Sequence, residues 1–134
     1  MATAKRDVLS VNSDADVVAV RQAVRRWAVQ IGFGLVDQTK LVTAASELAR
    51  NVVVHGGGGR ALLEPLVQNG RRGLAIVFED KGPGIRDVEA AMRDGFTTAD
   101  GLGLGLGGAK RLSNEFEISS RPGEGTRVRI ARWT

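Results

Sequence analysis

Glycine limits the folds open to this chain more than any other residue. It supplies 18 of the 134 residues, clusters in four places, and leaves the helical stretches nearly free. Glycine weakens a helix from within and ends it readily by taking positive φ. The chain is therefore cut into short elements joined by tight turns and close backbone approaches. The run Gly101-Leu102-Gly103-Leu104-Gly105-Leu106-Gly107-Gly108 is the densest case. A flexible linker favours serine between its glycines. Leucine at every second position argues against a linker.

Between the glycine clusters the periodicity is clear. Asp7 to Val11 reads as a short strand, and Asn12-Ser13-Asp14 supplies helix-cap chemistry. Val17, Val20, Val24, Trp27 and Ile31 follow at helical spacing until Gly32-Phe33-Gly34. A second helix is predicted over Val36 to Val54, with Leu41, Ala45, Leu48 and Val52 as its buried stripe and Gly56 to Gly59 as its stop. Strands are predicted over Ala61 to Gln68 and Leu74 to Glu79, joined by a turn at Asn69-Gly70 that Arg71 to Gly73 lengthen. Asp80 to Ile85 reads as a loop and Asp87 to Asp94 as a short helix. The glycine run then enters a helix through Lys110 and Leu112. Strands over Glu115 to Ser120 and Thr126 to Trp133 flank the turn Pro122-Gly123-Glu124-Gly125. The order β-α-α-β-β-α-α-β-β does not alternate as a doubly wound sheet does. It predicts an α/β (α+β) two-layer sandwich with a mixed, largely antiparallel sheet and helices on one face. Residues 1–134 read as one domain without repeat or linker.

Composition closes several functions. There is no cysteine and a single histidine, His55, so disulfides and clusters of soft metal ligands are excluded. His55 ends a helix before glycines, which suits a contact with the helix terminus or solvent better than a general base. Ser46 lacks a histidine partner and a glycine-flanked elbow, so a hydrolase triad is not expected. Met1 to Ser10 has no apolar core of a signal peptide, and no run reaches bilayer length. A cytoplasmic protein with no membrane partner is expected. The net charge of +4 rests on dispersed basic residues, densest at Arg121, Arg127, Arg129 and Arg132. Aromatic residues are 4% of the chain and none interleaves those arginines, so a solvated strand face that meets an acidic partner is preferred to a nucleic-acid surface.

Four patches carry candidate chemistry. Glu47 and Asn51 lie four apart and share a helix face at the edge of the apolar stripe. Alone they form an ordinary boundary pair. As a site, they offer a carboxylate base beside an amide oxygen that can ligate Mg²⁺. Asp80-Lys81-Gly82-Pro83-Gly84-Ile85 follows a strand directly. It makes a strand-ending turn, and it also suits a nucleotide pocket in which a carboxylate accepts from the exocyclic amine of adenine. The Gly101–Gly108 run opens a helix, where backbone amides bind phosphate. It is no P-loop, because Gly-Lys-Ser/Thr is absent. Gly103-x-Gly105-x-x-Gly108 matches a dinucleotide fingerprint but lacks the preceding strand. Gly123-Glu124-Gly125-Thr126 reads as a hairpin turn, and Thr126 has a hydroxyl to offer to an adenine pocket.

In this order the patches resemble the N, G1 and G2 boxes of the GHKL ATPases: gyrase-type topoisomerases, MutL proteins, heat-shock chaperones and histidine kinases. That resemblance implies the GHKL (Bergerat) ATP-binding fold. Glu47-Leu48-Ala49-Arg50-Asn51, Glu79 through Ile85, Asp94-Gly95-Phe96-Thr97-Thr98, Gly101 through Leu112, Gly123 through Thr126 and Trp133 more closely resemble the RsbT-like serine/threonine kinases, relatives of the anti-sigma factors. This resemblance implies an enzyme that moves the γ-phosphate of ATP, with Mg²⁺, to Ser or Thr of a STAS-domain protein in stress-response partner switching, notably the stressosome. It assigns Glu47 as catalytic base and Asn51 as Mg²⁺ ligand. Asp80 reads adenine, with Gly82, Gly84 and Ile85 shaping its loop. Gly101, Leu102, Gly103, Leu104, Gly105, Leu106 and Gly107 line the phosphates, with Leu104 and Leu106 holding the loop against the core. Thr98 belongs to the ATP lid, and Thr126 completes the adenine pocket. Val54-His55-Gly56-Gly57 departs from the expected aromatic or alanine-rich turn. The resemblance also implies further partners, a metal-dependent serine/threonine phosphatase or a sigma factor. A nucleotide-dependent anti-sigma or phosphatase-activating adaptor is the competing reading, and the retained Glu47 favours catalysis. A detached histidine-kinase domain would need a dimerisation helix bearing a phosphoacceptor histidine, which is not seen.

Overall fold

The computed structural model describes residues 6–85, 88–92 and 105–134. The elements follow as β1 (Asp7–Val11), α1 (Asp14–Ile31), α2 (Leu35–Val54), β2 (Gly59–Gln68), β3 (Arg71–Asp80), α3 (Val88–Ala91), α4 (Gly105–Arg111), β4 (Glu115–Arg121) and β5 (Gly125–Trp133). Local chemistry sets the boundaries. Ser13 caps α1 by accepting from the Asp16 amide at 3.3 Å, and Asp16 accepts in return from the Asn12 amide at 2.9 Å. This reciprocal pair ties the chain before α1 to its first turn. Gly32, at φ 107°, ends α1 in the left-handed conformation.

The sheet order is β1-β2-β3-β5-β4. Two helices separate β1 from β2, and β2 returns antiparallel to β1. β2 and β3 form a hairpin whose turn is Asn69-Gly70, both at positive φ (53° and 79°). Gln68 pairs with Arg71, so the turn is not lengthened through Gly73. Gly73 serves the sheet instead: it pairs with Trp133, and a Cβ there would lie 2.8 Å from the indole ring. The crossover from β3 to β4 does run to a strand of the same direction, but β5 lies between them. All four pairings are therefore antiparallel, which narrows the expected mixed sheet.

Strand alternation gives the sheet two unlike faces. One face carries Leu9, Ala61, Phe78, Val128 and Ile118 in a row across all strands, with Leu63, Ile76, Ile130 and Phe116 in the next. These pack under α1 and α2, whose stripes are buried: Val20, Val24 and Ala28 from one helix, Leu41, Ala45 and Leu48 from the other. Fully burying a valine or leucine side chain stabilises by roughly 1.5–3 kcal/mol. Trp27 closes the layer at its rim by donating to Asp7 of β1 at 2.8 Å. The other face is open to solvent, so the helices lie on one side as expected. Among the described residues, no helix is long and apolar enough to cross a membrane.

Candidate functional site

Helix α2 places Glu47 and Asn51 one turn apart, each half-buried and beside buried Leu48 and Val52. At its C-terminal end the Asn51 carbonyl accepts from the amides of His55, at 2.9 Å, and Gly56, at 3.1 Å. His55 is exposed there, as expected for a residue at a helix terminus. Gly56 touches the end of β3 directly. A Cβ on it would lie 2.6 Å from Asp80 Oδ2, and a Cβ on Gly82 would lie 2.7 Å from the Gly56 Cα. Only glycines allow this helix terminus and the Asp80 loop to meet. Asp80 Oδ1 accepts from the Gly82 amide at 2.9 Å, which fixes the carboxylate and leaves Oδ2 without a hydrogen bond among the described residues.

The far side of the loop is tied to the β4–β5 hairpin. The Gly123 amide donates to the Pro83 carbonyl at 2.7 Å, and the Ile85 amide donates to Ser120 Oγ at 2.7 Å. Ser120 Oγ also lies 3.1 Å from the Gly125 carbonyl and 2.8 Å from Thr126 Oγ1. One hydroxyl holds one proton and two acceptor sites. With the proton on the Gly125 carbonyl, Ser120 accepts from Ile85 and Thr126, and Thr126 presents acceptor lone pairs. Gly84, at φ 77°, sits against the backbone of Arg121 and Pro122. Asp80 pairs with Thr126 across β3 and β5.

The structure thus gathers Asp80, Gly82, Gly84, Ile85 and Thr126 into one cluster and joins it to Asn51 through Gly56. Gly105, Leu106 and Gly107 are buried at the start of α4, which packs against α2. Leu106 belongs to the hydrophobic core, which fits the reading of a loop held against it. Thr98, Gly101, Leu102, Gly103 and Leu104 lie outside the described residues. Two contributors escape a reading of the sequence. Gly56 looks like a helix stop, and Ser120 looks like any strand serine; only the register brings Ser120 beside Thr126.

The donor chemistry fits the groups that the resemblance implies. Asp80 Oδ2 beside a glycine cradle suits a base with an exocyclic amine. No three His, Cys, Asp or Glu side chains converge on a possible metal position among the described residues. A Mg²⁺ held by one amide oxygen, with phosphates and water completing its shell, needs no such cage.

A cleft of about 990 Å³ opens at the same end of the sheet but on its other face. It shares Asp80 and Thr126 with the predicted residues, and part of its wall is a row across all strands: Ser10, Arg60, Glu79, Arg127 and Ser119.

Helices on one face of an antiparallel sheet, with an Asp-x-Gly loop closed on the end of an N-box helix, define an ATPase-type nucleotide domain. The chain belongs to the histidine kinase-like ATPase domain family, which it matches over residues 11–132. Within that class it falls among the RsbT-like serine/threonine kinases. It is 46% identical over 123 residues to the serine/threonine-protein kinase RsbT of Bacillus subtilis (strain 168), covering 92% of each chain. It is also similar to the anti-sigma F factor of Thermoanaerobacter sp. (strain X514), 29% identical over 84% of this chain and 82% of that one. Solved structures share the fold. The RsbU and RsbW domains of a Mycobacterium tuberculosis protein align at TM-score 0.63 and 22% identity, covering 98% of this chain and 32% of that one. The SiaB–SiaC complex of Pseudomonas aeruginosa aligns at TM-score 0.53 and 13% identity, covering 97% and 89%.

Proposed function

We propose that the chain transfers the γ-phosphate of ATP to a serine or threonine of a STAS-domain regulatory protein, in the cytoplasm, as a switch component of a bacterial stress-response pathway of the stressosome type. One observation carries the reading. The carboxylate suited to adenine, fixed by the Gly82 amide, abuts Gly56 at the end of the helix that bears Glu47 and Asn51. The base reader therefore packs against the end of the helix that carries the catalytic pair.

Phosphoryl transfer is mostly positioning and charge stabilisation. Asp80 Oδ2 accepts from the adenine amine, and Thr126 adds an acceptor beside it. Gly82, Gly84 and Ile85 shape the loop under the base. The amides of Gly101 through Gly107 cradle the phosphates. Asn51 holds Mg²⁺, which supplies neutralisation of phosphate charge when bound. Glu47 accepts the proton of the partner hydroxyl as that oxygen bonds to the γ-phosphorus and ADP departs.

Intact-mass analysis after incubation with Mg-ATP and a STAS-domain candidate tests this. One phosphate should appear on the partner's Ser or Thr, and Glu47→Ala should abolish it while ATP still binds. Transfer at an equal rate in Glu47→Ala removes that residue from the role. The similarity to anti-sigma F factors favours a second reading, a nucleotide-gated adaptor that acts on a sigma factor or a metal-dependent phosphatase by binding. ATP binding with no phosphate on any STAS candidate would favour it.

A further inference from the structure

Apart from Asp80 and Thr126, the charged wall of the open-face cleft is not used by the phosphoryl-transfer reading, and its chemistry is distinctive. Arg60, Lys81, Arg121 and Arg127 all line it. Glu79 stands between two of them. Its Oε1 is 2.7 Å from Arg60 Nε, and its Oε2 is 3.5 Å from Arg127 Nε. Both contacts use Nε, so the Nη atoms of Arg60 and Arg127 carry no hydrogen bond among the described residues. The same holds for Lys81 Nζ and the Arg121 guanidinium. The arginine side chains remain 58% and 49% exposed. Ser10, Ser119 and Asn12 add hydrogen-bonding groups to the wall.

The shape limits what can lie there. The row Ser10–Arg60–Glu79–Arg127–Ser119 crosses the five strands of the sheet. Four inter-strand spacings span about 19 Å, the reach of about six extended residues. A nucleic-acid strand suits the cleft poorly. No aromatic residue lines it for base stacking, and Glu79, Asp80 and Glu124 would oppose a uniform row of phosphates. In an extended peptide alternate side chains face opposite ways, so some carboxylates can meet the basic residues while the others point to solvent, away from the acidic ones.

We propose that this cleft is a docking groove for an extended acidic segment, about six residues long, of a protein partner. The segment lies across the strands, with its carboxylates on Arg60, Arg127, Arg121 and Lys81. The groove adjoins the nucleotide cluster at Asp80, Ser120, Gly125 and Thr126, but the basic side chains that hold the segment are not among the nucleotide residues, so its occupation needs neither ATP nor transfer.

Fluorescence anisotropy with a labelled hexaglutamate peptide tests the proposal, beside hexalysine and oligo-dT probes of similar length. Hexaglutamate should bind the full chain at low salt and be released by added salt. Arg60→Gln with Arg127→Gln should weaken it roughly three- to tenfold. Glu79→Gln should tighten it, because both arginines are then released from the internal carboxylate. A purely structural role for this triad predicts weakening in both variants. Binding of a fluorescent ATP analogue should be unchanged throughout, which keeps this test apart from the kinase reading. Absent hexaglutamate binding, equal binding by the arginine variants, weakening by Glu79→Gln, or oligo-dT binding as tight as hexaglutamate would each overturn the proposal.

Discussion

Ser120 uses every hydrogen-bonding valence it has: one amide, one carbonyl and one hydroxyl surround its Oγ. Removing it strands the Ile85 amide in a half-buried position, which costs about 1–3 kcal/mol. Ser120→Ala should therefore lower thermal stability and weaken ATP binding by roughly three- to tenfold, read by melting and by titration calorimetry. An unchanged ATP affinity would separate the loop tie from the pocket. Gly56 and Gly57 make a sharper pair. Gly57 has φ 72° and open space where a Cβ would project, so Gly57→Ala meets only backbone strain, about 1–2 kcal/mol. Gly56 has ordinary φ, but its Cβ would collide with the Asp80 side chain. Gly56→Ala should thus impair ATP binding more than Gly57→Ala, with the order checked by titration.

The elements themselves were largely legible in the residues. Both helical stripes and the Asn69-Gly70 hairpin follow from local periodicity and turn chemistry. Gly73 was not, because its reason is Trp133, a partner sixty residues away in sequence. The order of β3, β5 and β4 was equally hidden, since strand pairing is a non-local choice among similar apolar runs. Half the candidate site was readable from motif order, while Ser120 and the open-face cleft needed the register. One non-local tie has a pH signature. Glu115, at the start of β4, accepts from Trp133 Nε1 at 2.7 Å and from Arg129 at 3.0 Å. The Trp133 bond first, then Arg129, holds its carboxyl below the ordinary value of 4.5. A lowered folded value means that this contribution is present above about pH 4.5 and is lost as pH falls through the folded value. Melting curves of Glu115→Gln should lose part of the acid dependence seen in the parent chain. Because the group is largely exposed, the effect is small and should shrink with salt.

At the scale of the molecule, the site is assembled from α2, the β3 loop and the β4–β5 hairpin, so a nucleotide that bridges them stabilises the whole fold. A ligand at a hundred times its dissociation constant adds about 2.7 kcal/mol. For a chain of this length that is roughly a 10 °C rise in melting temperature. Mg-ATP should produce such a rise in the parent and in Glu47→Ala. It should produce much less in Asp80→Asn, whose amide turns a donor toward the adenine amine. Equal shifts in all three would remove Asp80 from base recognition.

The placement of β5 also bears on how the protein is made. β5 is the last strand in chain order, yet it sits between β3 and β4 inside the sheet. While the ribosome is still translating it, β3 exposes an edge with no neighbour on that side, and β4 has no strand to join. Thr126 belongs to this same late segment. The cluster of Asp80, Ser120 and Thr126 is therefore incomplete until β5 emerges, and release of that strand sets the earliest moment at which a ligand of that cluster can help hold the new molecule together.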